Sequence, residues 1–268
     1  ENECYVEDSD KSLRLRFVNA GEVGGNVDLV VYLEDVDLLK AQAQQIKLAA
    51  LGRLTANIAH EIRNPLAAVA HAGELMAEEK RLEVQHRLLR IIHDNTARID
   101  RIIRDVLELG RRDRGTLEQL NLLEFVRSFA EEFALNAAMS ADLLHIETDL
   151  REGAPLLRVW FDRVHLYQIL TNLVGNARRY CSGEPGAVRV SIRLLDERRV
   201  LLSVADDGPG ICEEDRVKLF EPFFTSDPKG TGLGLYTARE LAEANGASLN
   251  FVESAKGAEF HLVARRVA

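Results

Sequence analysis

No stretch of this 268-residue chain approaches the ~20 apolar residues needed to cross a bilayer, and nothing at its start reads as a signal peptide. Runs of Lys or Arg are missing too. With 34 basic against 43 acidic residues the formal net charge is −9. That balance argues against nucleic acid, where neutralisation of phosphates supplies most of the affinity. It does not argue against a nucleotide, which needs a few placed groups and not a basic face. Cysteine is sparse: Cys4, Cys181 and Cys212 lie far apart with no metal-ligand spacing. An odd, scattered count fits a reducing compartment better than a disulfide scaffold. Internal repeats and low-complexity segments are absent as well. The chain begins on Glu1 and not on Met, as a piece of a longer protein does. The expectation is therefore a cytoplasmic portion, with any inner-membrane anchor lying upstream.

What is present is an ordinary globular composition, 46% hydrophobic and 29% charged, long enough for one or two domains. Three regions differ in period. Residues 13–18 (LRLRFV) and 27–33 (VDLVVYL) read as strands, with Gly21, Gly24 and Gly25 marking the turn between them. From about Asp37 the period becomes helical, with Leu39, Ala43, Ile46, Ala50, Leu54 and Ile58 recurring at three and four. A second run carries Leu88, Ile91, Ile92, Ile99, Ile102, Val106 and Leu109. The charged segment 78–83 separates the two. Such a hairpin has too little core of its own, and pairing with a second copy into a four-helix bundle would bury both stripes. Residues 110–115 read as a helix stop and linker. Beyond them, helices are expected at about 121–138, 162–180 and 233–245. Strands are expected at 143–147, 187–195, 199–206, 247–252 and 258–264. Helices on one antiparallel sheet make an α+β sandwich.

The first chemical constellation is His60-Glu61-Ile62-Arg63-Asn64-Pro65. A lone histidine on a helix is usually surface or core material. Here Glu61 follows directly, and Asn64 lies one turn beyond both. An exposed imidazole with a neighbouring carboxylate to hold its ring proton is an activated nucleophile. An amide one turn away can orient water for the reverse reaction. His71, eleven residues on, returns to nearly the same face but lacks an adjacent acid and the proline.

Four clusters follow in the C-terminal half. Asn172 and Asn176 sit at i and i+4 of a predicted helix, with Arg179 and Tyr180 after them. Neutral oxygen ligands suit Mg²⁺ that is shared with phosphates, and Arg179 can meet those phosphates. Asp206-Asp207-Gly208-Pro209-Gly210 follows a strand. A carboxylate there can accept from an exocyclic amine such as that of adenine, although a plain turn is the blander reading. Phe220-Glu221-Pro222-Phe223-Phe224-Thr225 is either core aromatic or the hinge of a lid. Lys229-Gly230-Thr231-Gly232-Leu233-Gly234-Leu235 opens a helix whose first N–H groups can hold phosphate oxygens. A dinucleotide fold would need this motif in an early βαβ unit, and a Walker loop would need G-K-[ST]. Neither context is met.

These residues, in this order, resemble the histidine kinases. HEIRNPL (60–66) is similar to their H-box, NLVGNARRY (172–180) to the N-box and DDGPGI (206–211) to the first glycine box. LFEPFFTS (219–226) resembles the F-box and GTGLGL (230–235) the second glycine box. The resemblance spans about residues 37–268. It implies a dimerisation and phosphotransfer hairpin over 37–115 and a Bergerat-type ATP-binding domain over 116–268. Residues 1–36 resemble the end of a PAS sensor domain, though Asp35-Val36-Asp37 replaces the usual Asp-Ile-Thr junction. By the same resemblance His60 takes the γ-phosphate of ATP, with Glu61 as proton acceptor and Asn64 supporting phosphatase activity. Asp206 would bind the adenine amine and Asn176 the Mg²⁺. Asn172 and Arg179 would face the phosphates, and the partners would be a second copy and a response-regulator receiver domain. Arg179 stands where Lys is common, and the lid from Cys212 to Lys229 is short and poor in glycine. The HEIRNPLAA style resembles the nitrogen-regulation kinases and the sensors of pilus genes. Two rivals are an ATPase of the gyrase or chaperone kind, which has no HExRNP helix, and a non-catalytic scaffold, which would have damaged boxes.

Overall fold

The structure is a computed structural model that describes residues 2–6, 11–23, 26–109, 115–136, 140–148, 157–227 and 230–267. The chain divides into two compact units, Glu1–Glu61 and Ile62–Ala268.

The first unit opens with a three-stranded antiparallel meander, β1 (Asn2–Val6), β2 (Lys11–Val23) and β3 (Asn26–Asp35). The two strands expected here are longer than their apolar runs, and β1 is an addition that the mixed string NECYV did not signal. A register shift between Asn19 and Gly21 marks a bulge in β2. Helix α1 (Val36–Glu78) follows without a loop. The Asp35 carboxylate caps it by accepting from the Leu38 N–H at 2.9 Å.

In the second unit α1 continues through Pro65, which is buried, to Glu78. Residues 79–81 turn the chain into α2 (Leu82–Leu109). The turn is built by one carboxylate. Glu79 accepts from the N–H groups of Lys80 and Arg81 at 3.0 and 2.9 Å, and binds the Arg81 guanidinium at 3.0 and 2.8 Å. Ala72, Leu88 and Ile102 are the buried apolar residues of this hairpin. Leu66, Leu75, Leu89, Ile103 and Leu107 are large apolar side chains that lie exposed on it. The expected linker, 110–115, falls outside the described residues except for Gly115.

The remaining elements are β4 (Glu118–Asn121), α3 (Leu122–Asn136), β5 (Leu144–Thr148), β6 (Arg158–Phe161), α4 (Arg163–Tyr180), β7 (Val188–Leu194) and β8 (Arg199–Asp206). After them come α5 (Glu213–Arg216), α6 (Gly234–Ala244), β9 (Ser248–Val252) and β10 (Glu259–Arg265). Five strands form one sheet in the order β5-β7-β8-β10-β9. The sheet is mixed and not all antiparallel as the sequence suggested: β5 runs parallel to β7. The reason is the route between them, which leaves β5, passes through β6 and crosses over along α4. The short ladder β4–β6 was also unexpected, since EQLN is polar and four residues long.

One face of the sheet carries the core. Val188, Val190 and Ile192 of β7, Val200, Leu202 and Val204 of β8, and Phe260 and Leu262 of β10 alternate inward. Against them pack Phe125, Phe129 and Phe133 of α3, Leu166, Ile169, Leu170 and Leu173 of α4, and Ala238 and Leu241 of α6. This packing fixes α4 and α6 side by side, so that the end of α4, the end of β8 and the start of α6 meet at one edge of the layer. The α+β architecture, a hairpin followed by an α/β sandwich, is the one expected.

Candidate functional site

Helix α4 is started by Asp162, whose carboxylate accepts from the His165 N–H at 2.9 Å. Its apolar residues are buried on the sheet, and Asn172, Asn176 and Arg179 are turned to the outer side. Thr171, Asn172, Gly175, Asn176, Arg178 and Arg179 line a cavity of about 490 Å³. The Asn172 Nδ2 is buried there with no hydrogen-bond partner among the described residues. A buried amide left unpaired costs free energy unless something outside the chain completes it. Arg179 donates to the Asp227 carboxylate at 3.1 Å, so a carboxylate holds the guanidinium where a phosphate could. Tyr180, the last residue of α4, is exposed.

Asp206, at the end of β8, is 6% exposed. Its Oδ1 accepts from the Gly208 N–H at 2.9 Å and the Ala258 N–H at 3.1 Å. Those two bonds fix the carboxyl plane and leave Oδ2 as an acceptor. Burial pushes this carboxyl up, the two N–H groups pull it down, and neighbouring Asp207 adds to the rise. Asp207 is the reverse case. The N–H and hydroxyl of Ser182 (2.9 and 2.8 Å) and then Lys256 (3.2 Å) hold its carboxyl down to about 2. Thus the first acid of the pair is buried on two N–H groups, and the second staples the β8 turn to its surroundings.

Sequence reading missed the residues that hold Asp206 in place. Gly257 has φ +73, and a Cβ there would meet the Asp206 carbonyl oxygen, with Oδ1 at 2.7 Å. Only a glycine allows this approach, and it presents the next N–H, that of Ala258, to the carboxylate. The signal was the lone glycine of SAKGAEF, just before the strand expected at 258–264. Gly208 and Gly210 lie in the turn after Asp206, Gly208 against the Tyr180 carbonyl.

The second glycine box opens α6. Leu233 is buried at the cap, and Gly234 lies against Asn172, its would-be Cβ 3.4 Å from Oδ1. The start of α6 therefore lies beside the Asn172 amide, and free N–H groups at a helix start favour an anion. Gly230 is buried, and the Thr231 hydroxyl donates to Asp105 of α2 at 2.7 Å. Gly232 has φ +69, and a Cβ on it would run into the Phe223 backbone. Phe223 itself has φ +68, the one non-glycine with positive φ among the described residues, and its N–H donates to the Gly232 carbonyl at 2.9 Å. Phe220 meanwhile packs edge-on to Phe260 and under Arg239. The aromatic box is thus core at Phe220 and hinge-like at Phe223. Lys229 lies outside the described residues.

His60 and Asn64 are exposed on α1, and Glu61 is half-buried. His71 is exposed too and has Glu74 at 3.8 Å, one turn on. His60 and Glu61 belong to the first unit, and the α4, β8 and α6 residues to the second. Among the described residues no group of three or more His, Cys, Asp or Glu could hold a metal ion. A cation here would therefore need oxygens of Asn and of a ligand, a set that suits Mg²⁺. No described helix is long and apolar enough to cross a membrane.

Known proteins resemble the chain in both parts. Residues 50–115 match the His Kinase A (phospho-acceptor) domain, and residues 161–267 the histidine kinase-, DNA gyrase B- and HSP90-like ATPase family. The sensor protein kinase PilS of Pseudomonas aeruginosa is 41% identical over 233 residues, 85% of this chain and 43% of that protein. The sensor histidine kinase ZraS of Klebsiella oxytoca is 33% identical over 221 residues, 82% of this chain and 46% of that protein. The chain spans less than half the length of these two relatives. Histidine kinase ThkA, solved in complex with response regulator protein TrrA, superposes with a TM-score of 0.67 at 25% identity, over 99% of this chain and 78% of that one.

Proposed function

Because the chain belongs to the sensor histidine kinases, we propose that it binds ATP with Mg²⁺ in the α4–β8–α6 cleft and transfers the γ-phosphate to His60. The observation that carries this reading is an exposed imidazole beside Glu61 in a chain that also bears the Asn172–Asn176 cavity and, at the end of β8, a buried Asp206 carboxylate held by two N–H groups. Asp206 Oδ2 would accept from the adenine amine. Asn172 and the first N–H groups of α6 would bind phosphate oxygens, and Arg179 would exchange Asp227 for them. Asn176 would hold Mg²⁺, which, when bound, neutralises charge on the phosphates.

In the reaction a His60 ring nitrogen attacks the γ-phosphorus, and the bond to the β,γ-bridging oxygen breaks. ADP leaves, and the proton on the other ring nitrogen is held by Glu61. Little more than positioning and charge neutralisation is required. The phosphoryl group then passes to an aspartate of a separate receiver domain, with Asn64 placed one turn from His60 to orient a hydrolytic water. The exposed Leu66, Leu75, Leu89, Ile103 and Leu107 favour a second copy against the hairpin. We assign residues 1–36 to the end of a PAS-like sensor domain, 37–115 to dimerisation and phosphotransfer, and 116–268 to nucleotide binding. The likeness to PilS accords with the pilus-gene sensors that the H-box style resembles.

The test is incubation with γ-labelled ATP and Mg²⁺. Acid-labile, alkali-stable label on the wild type, lost in His60→Gln and in Asn176→Ala, is the expected result. Label that persists in His60→Gln overturns the assignment of the acceptor.

A further inference from the structure

The reading of residues 230–234 as the phosphate loop leaves one contact unexplained. The Thr231 hydroxyl is not turned toward the cleft. It donates to Asp105 Oδ2 at 2.7 Å, across 126 residues of sequence, and also accepts weakly from the Leu233 N–H at 3.4 Å. Asp105 belongs to the stem helix α2. One turn before it Ile102 is wholly buried, and Asp105 is half-buried. This face of α2 is covered, whereas Ile103 and Leu107 beside it are exposed.

We propose that Asp105 is a latch on the phosphate loop: by holding Thr231 against the stem it competes with the phosphates of ATP, so that nucleotide binding and docking of the loop on α2 oppose each other. The proposal rests on the ATP-site reading above. Its chemistry is simple. A hydroxyl has one proton to donate, and both an ionised carboxylate and a phosphate oxygen are acceptors only. They cannot share Thr231, and two negative groups within a few ångströms repel. Burial also pushes the Asp105 carboxyl up, an effect that the Thr231 hydroxyl and then Arg101 and Arg104 only partly offset. The ionised form is therefore held at a cost while docked and gains by release.

Asp227 on Arg179 makes a comparable stand-in for phosphate, with a difference that matters. Asp227 sits in the same module as its partner and moves with it. Asp105 sits on the stem, so displacing it loosens the attachment of the module to the helix that precedes it. By linkage, docking of the loop weakens nucleotide binding by the same factor by which nucleotide weakens docking.

The experiment is a calorimetric titration of the whole chain with a non-hydrolysable ATP analogue and Mg²⁺, on wild type, Asp105→Asn, Asp105→Ala, and each in a Thr231→Val background. Asp105→Asn keeps an acceptor and removes the charge; Asp105→Ala removes both. Each should bind the analogue about fivefold or more tighter than wild type, a coupling of ordinary size, and the gain should vanish with Thr231→Val. Hydrogen exchange at 102–107 should rise on adding analogue to wild type and already be high in Asp105→Ala. Equal or weaker binding by both Asp105 variants overturns the latch while leaving the ATP site standing. Failure of every form, wild type included, to bind the analogue overturns the ATP-site reading itself.

Discussion

Replacing Gly257 by alanine should damage the proposed adenine end of the cleft more than its half-buried position in a turn suggests. Gly257 and Gly246 share nearly the same left-handed backbone, φ +73 and +67. An alanine at either costs about 1–2 kcal/mol for that conformation alone. At Gly246 a Cβ meets nothing within 4 Å, whereas at Gly257 it meets the Asp206 carbonyl and, at 2.7 Å, Oδ1. Backbone cannot give way cheaply, so the turn must move and take the Ala258 N–H off the carboxylate. A hydrogen bond to a charged group contributes about 1.5–3 kcal/mol. Gly257→Ala should thus cost about 3–5 kcal/mol against about 1–2 for Gly246→Ala. At about 2–4 °C per kcal/mol for a module of this size, the melting temperature should fall by roughly 10 °C and by roughly 4 °C respectively. Thermal unfolding followed by circular dichroism, with and without an ATP analogue, measures both. Nucleotide affinity should drop at least about tenfold in Gly257→Ala, the equivalent of 1.4 kcal/mol, and stay unchanged in Gly246→Ala. Equal melting shifts, or wild-type affinity in Gly257→Ala, would refute the argument that this turn holds Asp206.

Two further outcomes follow from the acid pair. The Asp206 carboxyl is raised by burial, and only its ionised form has both oxygens as acceptors, so analogue affinity should fall as pH drops, beginning above the ordinary aspartate range. Asp206→Asn should abolish binding at all pH values, because an amide with its oxygen on the two backbone N–H groups turns a donor toward the adenine amine. Asp207 has the opposite sign. Its folded-state carboxyl lies at about 2, below the unfolded value of ~3.9, so its stabilisation is complete above that value and is lost as pH falls from about 4 to 2. Acid unfolding monitored by fluorescence or circular dichroism should be shallower over that window in Asp207→Asn, which starts less stable at neutral pH; an unchanged acid limb would remove Asp207 from the account.

Long periodic elements were legible in the chain, because an apolar stripe repeated over several turns has one cheap way to be buried. The two hairpin helices, α4 and α6 were found within a few residues on that basis. The five boxes were legible as a joint pattern in one order: Asn172 and Asn176, for instance, recur at i and i+4 on a helix face that the core does not use. What escaped was set by distant partners. The polar EQLN of β4 is a strand only because RVWF of β6 lies beside it, and β5 is parallel only because α4 carries the chain across. Gly257 fixes Asp206 from fifty-one positions away, Asp227 answers Arg179 from forty-eight and Asp105 answers Thr231 from one hundred and twenty-six. A local pattern encodes the backbone conformation of a residue, not the neighbour that will close on it.

The Phe223–Gly232 contact shows how such a distant pairing shapes the lid. A phenylalanine at positive φ is strained by about 1–2 kcal/mol, and it persists here because its N–H is bonded to Gly232 at 2.9 Å and its backbone fills the space where a side chain at 232 would be. The two left-handed residues therefore hold each other, and neither box can shift without the other. Phe220 is anchored separately on Phe260 and beneath Arg239, so the pinned end of the lid lies at the start of the aromatic box. At the far end Gly232 passes directly into the start of α6, against Asn172. Near these two ends Asp227 engages Arg179 and Thr231 engages the stem. On the proposed ATP-site reading, a polyphosphate would take the place of two hydrogen-bonded carboxylates, an exchange that a short lid poor in glycine can make without the swing of a long loop.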